Sequence, residues 1–231
     1  MPHQDVGSLF DSIAYRYDLL NHLLSGGIDH YWRRRAIAEL RDLRPRRVID
    51  VATGTADLAI AAARLNPERI VGVDIAGNML ALGRRKVAAR GLDRLITLQG
   101  GTAEQLEFPD ASFDAAIVAF GVRNFADLAA GLAEMRRVIR PGGMIVILEF
   151  SRPAAFPFKQ LYFLYFRRVI PFVGRIVSRH DTAYRYLPET VMKFPQDRQF
   201  LDILSRTGFS SVSAARLTFG IVSIYTGVRT S

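Results

Sequence analysis

Short apolar runs of β-strand composition alternate with helical patterns through the first two thirds of this chain. Five runs are predicted as strands: Arg47–Val51, Arg69–Val73, Leu95–Leu98, Phe113–Phe120 and Met144–Phe150. Three helices are predicted between them: Ala56–Leu65, Asn78–Arg90 and Leu128–Ile139, the last of which is stopped by Pro141-Gly142-Gly143. This order predicts an α/β fold with a mainly parallel, doubly wound sheet.

The last third of the chain departs from this alternation. A helix predicted at Arg198–Thr207 ends at Gly208, and two β-type runs follow, Val212–Leu217 and Ile221–Val228. The segment between these runs is too short for a helical crossover, so the two strands must be antiparallel. The complete prediction is a seven-stranded sheet that ends in an antiparallel hairpin.

The first predicted strand leads into a loop of small residues, within the segment "VIDVATGTADL" at 48–58. In an open α/β sheet such a loop lies at the carboxyl ends of the strands, where nucleotide-like cofactors bind. A dinucleotide fingerprint needs three glycines, but their places hold Ala52, Gly54 and Asp57, and a P-loop lysine is also missing. Because Asp57 would repel a phosphate, S-adenosylmethionine, which has none, is the better candidate.

Two further strand ends support a nucleoside site. Asp74 ends the second strand, 20 residues after Gly54, and can accept hydrogen bonds from both ribose hydroxyls. Thr102 and Ala103 follow the third strand, where the edge of an adenine would lie. Gly54 would let the methionine part of the cofactor pass close to the backbone. Together these features argue against a purely structural turn.

Four segments resemble the menaquinone/ubiquinone C-methyltransferase family, and the similarity spans nearly the whole chain. Two look like its signatures, "YDLLNHLLSGGIDHYW" at 17–32 and "RVIRPGGMIVILEFS" at 137–151. The segments "FPDASFD" at 108–114 and "FGVRNF" at 120–125 are also similar. The resemblance implies a Rossmann-like class I methyltransferase that uses S-adenosylmethionine to methylate a ring carbon of a polyprenylated quinol.

The resemblance also implies which residues bind the cofactor. The predicted set is Thr55, Asp74, Thr102 and Ala103, carried over by position, together with Gly54, Asp50 and Met79. This chain has Thr102, Ala119 and Tyr225 where the family often has Asn, Ser and His. The first two departures leave the adenine contacts to backbone groups or to a different hydroxyl, and the third leaves no histidine at that position.

Methyl transfer from a sulfonium is an in-line displacement, so positioning should supply much of the rate. A quinol carbon becomes nucleophilic when a neighbouring hydroxyl loses its proton, which requires a cation or a base near that oxygen. Arg123, after the fourth strand, is the candidate that stabilises the phenolate or orients a water. Its alternative role is an ion pair that fixes the loop. Asn124 is predicted to anchor a quinol oxygen.

The N-terminal signature precedes the first strand and is predicted to form a helical cap over the cofactor. It contains Asp18, Asn21, His30 and Trp32, to which no individual roles are assigned. The four histidines of the chain are scattered, so no metal site is predicted.

Residues 153–179 combine aromatic and basic side chains. The aromatic ones are Phe156, Phe158, Tyr162, Phe163, Tyr165, Phe166 and Phe172, and the basic ones are Lys159, Arg167, Arg168, Arg175 and Arg179. Such a mixture suits the headgroup boundary of a membrane, where rings embed and cations meet phosphates. The alternative is a helical lid whose rings complete the core. A lid that opens toward the bilayer would satisfy both interpretations.

The chain of 231 residues has no linker or repeat, so one domain is predicted. It consists of an N-terminal helical cap (1–45), a cofactor-binding core (46–150), a lid (151–195) and a C-terminal helix with hairpin (196–231). No signal-peptide pattern and no apolar run of about 18 residues occurs. We therefore expect a cytoplasmic protein that attaches reversibly to the inner face of the plasma membrane.

The preferred substrate is demethylmenaquinol, followed by a benzoquinol of the ubiquinone pathway or a phylloquinone-type naphthoquinol. The net charge of +9 would also suit an RNA methyltransferase. The chain has no appended RNA-binding domain and no Asn/Asp-Pro-Pro-aromatic motif, so no nucleic-acid partner is expected. The same chain could be read as a non-catalytic cofactor-binding subunit or as a lipid-surface binding module, and a homodimer is left open.

Overall fold

The computed structural model describes residues 11, 25–153, 155–164 and 189–230 of the chain. Seven strands form one sheet: β1 (Arg47–Val51), β2 (Arg69–Asp74), β3 (Ile96–Gly100), β4 (Phe113–Ala119), β5 (Ile139–Phe150), β6 (Phe209–Leu217) and β7 (Val222–Arg229). Their order in the sheet is β3-β2-β1-β4-β5-β7-β6. Strands β1 to β5 are parallel, and β7 is antiparallel to both of its neighbours. The predicted sheet and its terminal hairpin are confirmed.

Helices cover both faces of the sheet. In the described part of the chain they are α1 (Asp29–Ala38), α2 (Asp57–Ala62), α3 (Gly77–Ala88), α4 (Leu128–Val138), α5 (Phe158–Leu164) and α6 (Arg198–Arg206), with a further helical segment at 189–193. Helix α4 begins after Asp127, whose carboxylate accepts a hydrogen bond from the Ala130 amide at 3.0 Å. None of these helices is long and apolar enough to cross a membrane.

Two hydrophobic clusters lie on opposite faces of the sheet because side chains alternate along a strand. Ile49 of β1 belongs to the cluster that contains Leu132 of α4 and Phe200 of α6. Its neighbour Val48 belongs to the cluster that contains Trp32 of α1 and residues of α2. The central strands are therefore buried on both faces, as their continuous apolar composition predicts.

Strand β5 begins earlier than its sequence predicts. The prediction placed its start at Met144, after a stop at Pro141-Gly142-Gly143, but the strand already begins at Ile139. Phe113 pairs with Ile139, the register then shifts, and regular pairing resumes between Ala115 and Met144. The Pro-Gly-Gly segment is therefore a bulge inside the strand, which Gly142 permits through its positive φ of 75°.

Smaller boundary differences have similar causes. Helix α4 ends at Val138, one residue before the predicted end, because β5 starts there. Strand β6 begins at Phe209, before the predicted Val212, and includes a register shift between Ser210 and Ser213. A bulge breaks the alternation that sequence patterns rely on, so both strands were predicted too short.

Candidate active site

A cleft of about 720 Å³ lies at the carboxyl ends of β1, β2 and β4. The strand connections reverse direction at β1, and this is the position at which open α/β sheets bind ligands. Six of the predicted site residues line this cleft: Gly54, Asp74, Met79, Thr102, Ala103 and Asn124. They come from five different segments, one of which is the end of β2, so the fold is what brings them together.

Asp74 lies at the end of β2 with its carboxylate held from two sides. Its Oδ2 accepts a hydrogen bond from the Gly54 amide at 2.7 Å, and its Oδ1 accepts one from the Ala76 amide at 2.9 Å. Burial raises the pKa of this carboxyl above its usual value, and the backbone amides oppose that rise. The amides do not use all the lone pairs of the carboxylate, so it can still accept a hydrogen bond from a ribose hydroxyl.

The loop after β1 has a left-handed backbone at three positions. Gly54 has a φ of 55°, and Ala52 and Ala56 have φ values of 54° and 67°. A non-glycine residue in this region is strained, and such strain concentrates at functional sites. In the dinucleotide fingerprint G-x-G-x-x-G, Ala52 takes the place of the first glycine and Ala56 that of a variable residue. The loop therefore turns tightly although only one of the three glycines of the fingerprint is present.

Two predicted cofactor residues lie outside the main cleft. Asp50 and Thr55 line a smaller adjoining pocket, and Thr55 Oγ1 accepts a hydrogen bond from Lys86 Nζ at 3.0 Å. Asp50 is fully buried, and its Oδ2 accepts hydrogen bonds from Thr53 Oγ1 at 2.6 Å and from the Ala59 amide at 3.0 Å. Burial raises the pKa of Asp50 to about 7.

Arg123 forms a buried ion pair, which is the second of the two roles that the sequence left open for it. Its Nη1 lies 2.7 Å from Glu149 Oε1, and both side chains are almost completely buried. The same nitrogen donates to the carbonyl of Phe120. Arg123 is not among the described residues that line the cleft, whereas the adjacent Asn124 is. The guanidinium therefore fixes the loop that carries Asn124.

Several residues of the cleft were not predicted. Ile75, Glu104, Phe120, Gly121 and Phe125 all line it. For Ile75, Phe120 and Gly121 the available signal was their position directly after a strand end, since β2 ends at Asp74 and β4 at Ala119. Four of them are apolar residues or glycine, which carry no distinctive chemistry, and Glu104 stands in no motif of the chain that was assigned to the cofactor.

The described part of the N-terminal signature does not cover the cleft. Trp32 is buried in the core, where its indole N–H donates to Thr218 Oγ1 at 2.7 Å and its ring packs edge-on against Phe120 and Phe150. His30 is exposed and does not line the cleft. Neither residue lines the cleft, and most of the predicted cap, including Asp18 and Asn21, lies outside the described residues, so the cap stays a prediction.

The three positions that depart from the family pattern have different environments. Thr102 and Ala119 both line the cleft, so a hydroxyl is available at the first position and only a methyl at the second. Tyr225 is buried in the core instead, where its hydroxyl accepts a hydrogen bond from the Asp197 amide at 3.1 Å. Its role is structural.

The charges of the cleft suit a cation. Asp74 and Glu104 line it, and its described lining contains no lysine or arginine. A sulfonium would meet carboxylates there, whereas a phosphate would be repelled.

Within the described residues no group of three or more histidine, aspartate or glutamate side chains is arranged to hold a metal ion.

The ubiE/COQ5 methyltransferase family model matches residues 1–229 of the chain. A demethylmenaquinone methyltransferase of Bacteroides fragilis is 48% identical, over 98% of this chain and 93% of that protein. One of Deinococcus radiodurans is 49% identical, over 97% of this chain and 92% of that protein. The ubiquinone/menaquinone biosynthesis C-methyltransferase of Geobacter sulfurreducens is 46% identical, over 96% and 87%.

Solved structures with low sequence identity share the fold. A SAM-dependent methyltransferase from Thermotoga maritima superposes with a TM-score of 0.64 at 18% identity, over 97% of this chain and 99% of that one. The [4+2]-cyclase SpnF superposes with a TM-score of 0.66 at 19% identity, over 98% and 96%. Because these proteins differ in chemistry, their likeness supports the architecture and does not define the reaction.

Proposed function

Because the chain belongs to the ubiE/COQ5 methyltransferase family, we propose that it transfers a methyl group from S-adenosylmethionine to a ring carbon of demethylmenaquinol. Two of its near full-length relatives carry the name demethylmenaquinone methyltransferase. The observation that carries the proposal is the cleft itself, in which Asp74, Thr102 and Ala103 meet Asn124. A benzoquinol of the ubiquinone pathway is the second candidate, because another relative is named for both quinones.

The chain's residues would act mainly by positioning. When bound, S-adenosylmethionine would supply the methyl group to the ring carbon; the electron pair of the methyl–sulfur bond would stay on sulfur, and the ring proton would leave to water. Strands β2 and β4 flank β1, so Asp74 and Asn124 approach the cleft from opposite sides of the β1 loop. We assign the nucleoside to the side of Asp74, and a quinol oxygen to the amide of Asn124. Arg123 is then a positioning residue that holds Asn124 in place.

Methyl transfer to short-tailed demethylmenaquinol tests this proposal. With S-adenosylmethionine carrying a labelled methyl group, mass spectrometry should find the label on the naphthoquinol ring, and a matched benzoquinol should react more slowly. Asp74→Ala is the control, and it should weaken cofactor binding by about 1–3 kcal/mol because hydrogen bonds to a charged group are lost. No labelled quinol, or equal labelling by the Asp74 variant at limiting cofactor, would contradict the assignment.

A membrane surface is the proposed source of the quinol. The large hydrophobic side chains that are exposed in the described part of the chain are Ile28, Tyr31, Ile75, Phe156, Leu164, Met192 and Phe219. Ile75 lines the cleft, while Phe156 follows the end of β5 and Phe219 lies in the turn between β6 and β7, at the same edge of the sheet. Phe219 is 66% exposed, and its ring stacks on Phe158 with 3.8 Å between the ring centroids. Rings at this edge would enter the headgroup region beside the mouth of the cleft. The basic residues Arg167 and Arg168 of the predicted membrane segment lie outside the described residues.

Replacing Phe156 and Phe219 together with serine should test this surface. We expect binding to anionic vesicles and turnover of a long-tailed quinol to fall several-fold, since each buried ring loses apolar contact with lipid. Turnover of a short-tailed quinol should stay near the wild-type value. Arg41→Gln with Arg64→Gln is the control, because these exposed residues lie beyond the ends of α1 and α2, at the opposite edge of the sheet. Equal loss with both substrates would show that the rings support the fold and not the membrane contact.

A further inference from the structure

A smaller pocket adjoins the cleft beneath the loop that carries Gly54. Its volume is about 370 Å³. Four residues line both cavities: Ala52, Gly54, Ala119 and Phe120. A ligand that fills the cleft with its nucleoside and passes over Gly54 would therefore place its other end in this side pocket.

Arg33 supplies the positive charge of the side pocket. It belongs to α1, outside the sheet, yet it is only 7% exposed and lines the pocket. Its Nη1 forms an ion pair with Asp29, and its Nη2 lies 3.7 Å from Asp57 Oδ2. A guanidinium has five N–H donors in a planar fork, which suits a carboxylate that binds with both oxygens.

Asp50 supplies an acceptor in the same pocket. Its side chain is completely buried, and its Oδ2 carries both of its hydrogen bonds from the chain. Its Oδ1 has no partner among the described residues. A buried carboxylate oxygen without a donor is costly, so a ligand that brings a donor to it gains affinity.

The charged side chains that line the pocket are Arg33, Asp50 and Asp57. A cation beside carboxylates, one of which has an unfilled acceptor, matches an α-amino acid group, which carries both a carboxylate and an ammonium. We infer that Arg33 binds the carboxylate of the cofactor's amino-acid end, while Asp50 faces its ammonium group. The inference rests on the proposed function, because S-adenosylmethionine carries such a group and the cleft would hold its nucleoside. Helix α1 would then take part in cofactor binding, although it lies outside the β1 loop and its sequence motif.

The binding affinities of two ligands distinguish a contact of Arg33 with the amino-acid end from contacts with the nucleoside. S-adenosylhomocysteine carries the amino-acid end, and 5′-methylthioadenosine is the same thioether nucleoside without it. In calorimetry, Arg33→Lys should weaken S-adenosylhomocysteine binding about tenfold or more, because lysine keeps the charge but loses the fork. Binding of 5′-methylthioadenosine should change less than twofold. Arg33→Gln combined with Asp29→Asn removes both members of the ion pair and should give the same pattern in a folded protein.

Arg136→Lys is the matched control, since Arg136 is also partly buried but donates to the Gly208 carbonyl at 3.1 Å, away from the pocket. It should leave both affinities unchanged. If the Arg33 variants weaken both ligands equally, or neither, the assignment of Arg33 is overturned. If the wild-type protein binds neither ligand, the proposed function fails first, so the two failures are distinguishable.

Discussion

Replacement of Arg123 by methionine is expected to lower the free energy of unfolding by about 3–5 kcal/mol, because it leaves a buried carboxylate without its counter-ion. Glu149 is 0% exposed, and its Oε1 lies 2.7 Å from Arg123 Nη1. The methionine is close in volume to the arginine stem, so packing against the Phe150 ring, 5.5 Å from the guanidinium carbon, should largely survive. Urea unfolding of the ligand-free protein measures the loss.

The double variant Arg123→Met with Glu149→Gln should recover more than half of that loss. Glutamine is neutral, and its carbonyl oxygen can still accept the hydrogen bond from the Phe150 amide, which lies 2.8 Å from Glu149 Oε1. Arg46→Met is the control, because it breaks the exposed ion pair with Glu68 and should cost less than about 1 kcal/mol. A single variant as stable as the wild type would contradict a buried, charged pair.

Asp50→Asn is expected to make the ligand-free protein more stable than the wild type at pH 8, by up to roughly 4 kcal/mol. Burial raises the pKa of Asp50 to about 7 from an ordinary value of 3.8; Thr53, the Ala59 amide and Arg33 oppose the rise, and Asp74 adds to it. Between these two pH values the folded state holds a proton that the unfolded state has released. The contribution of Asp50 to the free energy of unfolding of the wild type therefore falls as the pH rises toward 7.

Asparagine does not titrate, so the difference in stability between the variant and the wild type should grow from pH 5 to pH 8. Its carbonyl can accept the bonds from Thr53 and Ala59, while its NH₂ takes the place of the partnerless oxygen. Urea unfolding at a series of pH values checks this, and Asp202→Asn, in an exposed position of α6, should show no such trend. A difference that is the same at pH 5 and pH 8 would refute a protonated Asp50.

The sequence by itself determined the fold class and the strand ends that form the cleft. Alternating apolar runs, helix stops and the three residues between the last two strands are local signals, and they predicted the parallel sheet with its hairpin. Asp74, Thr102, Ala103 and Gly54 were found for the same reason, because each lies in the segment that follows a predicted strand. Residues at the carboxyl ends of parallel strands meet at one edge whatever the rest of the fold does.

Only the tertiary structure decided which charges are buried and with which partners. Arg123 and Glu149 are 26 residues apart, and the pairing of β4 with β5 brings them together. Arg33 reaches the side pocket because α1 packs beside α2, a contact that no local pattern encodes. Gly54 lines both cavities, whereas its neighbour Thr55 lines the side pocket and not the cleft, within a loop that is left-handed at Ala52, Gly54 and Ala56. Sequence periodicity reports which face of an element is apolar, whereas the cost of a buried charge depends on groups that only folding brings within a few ångströms.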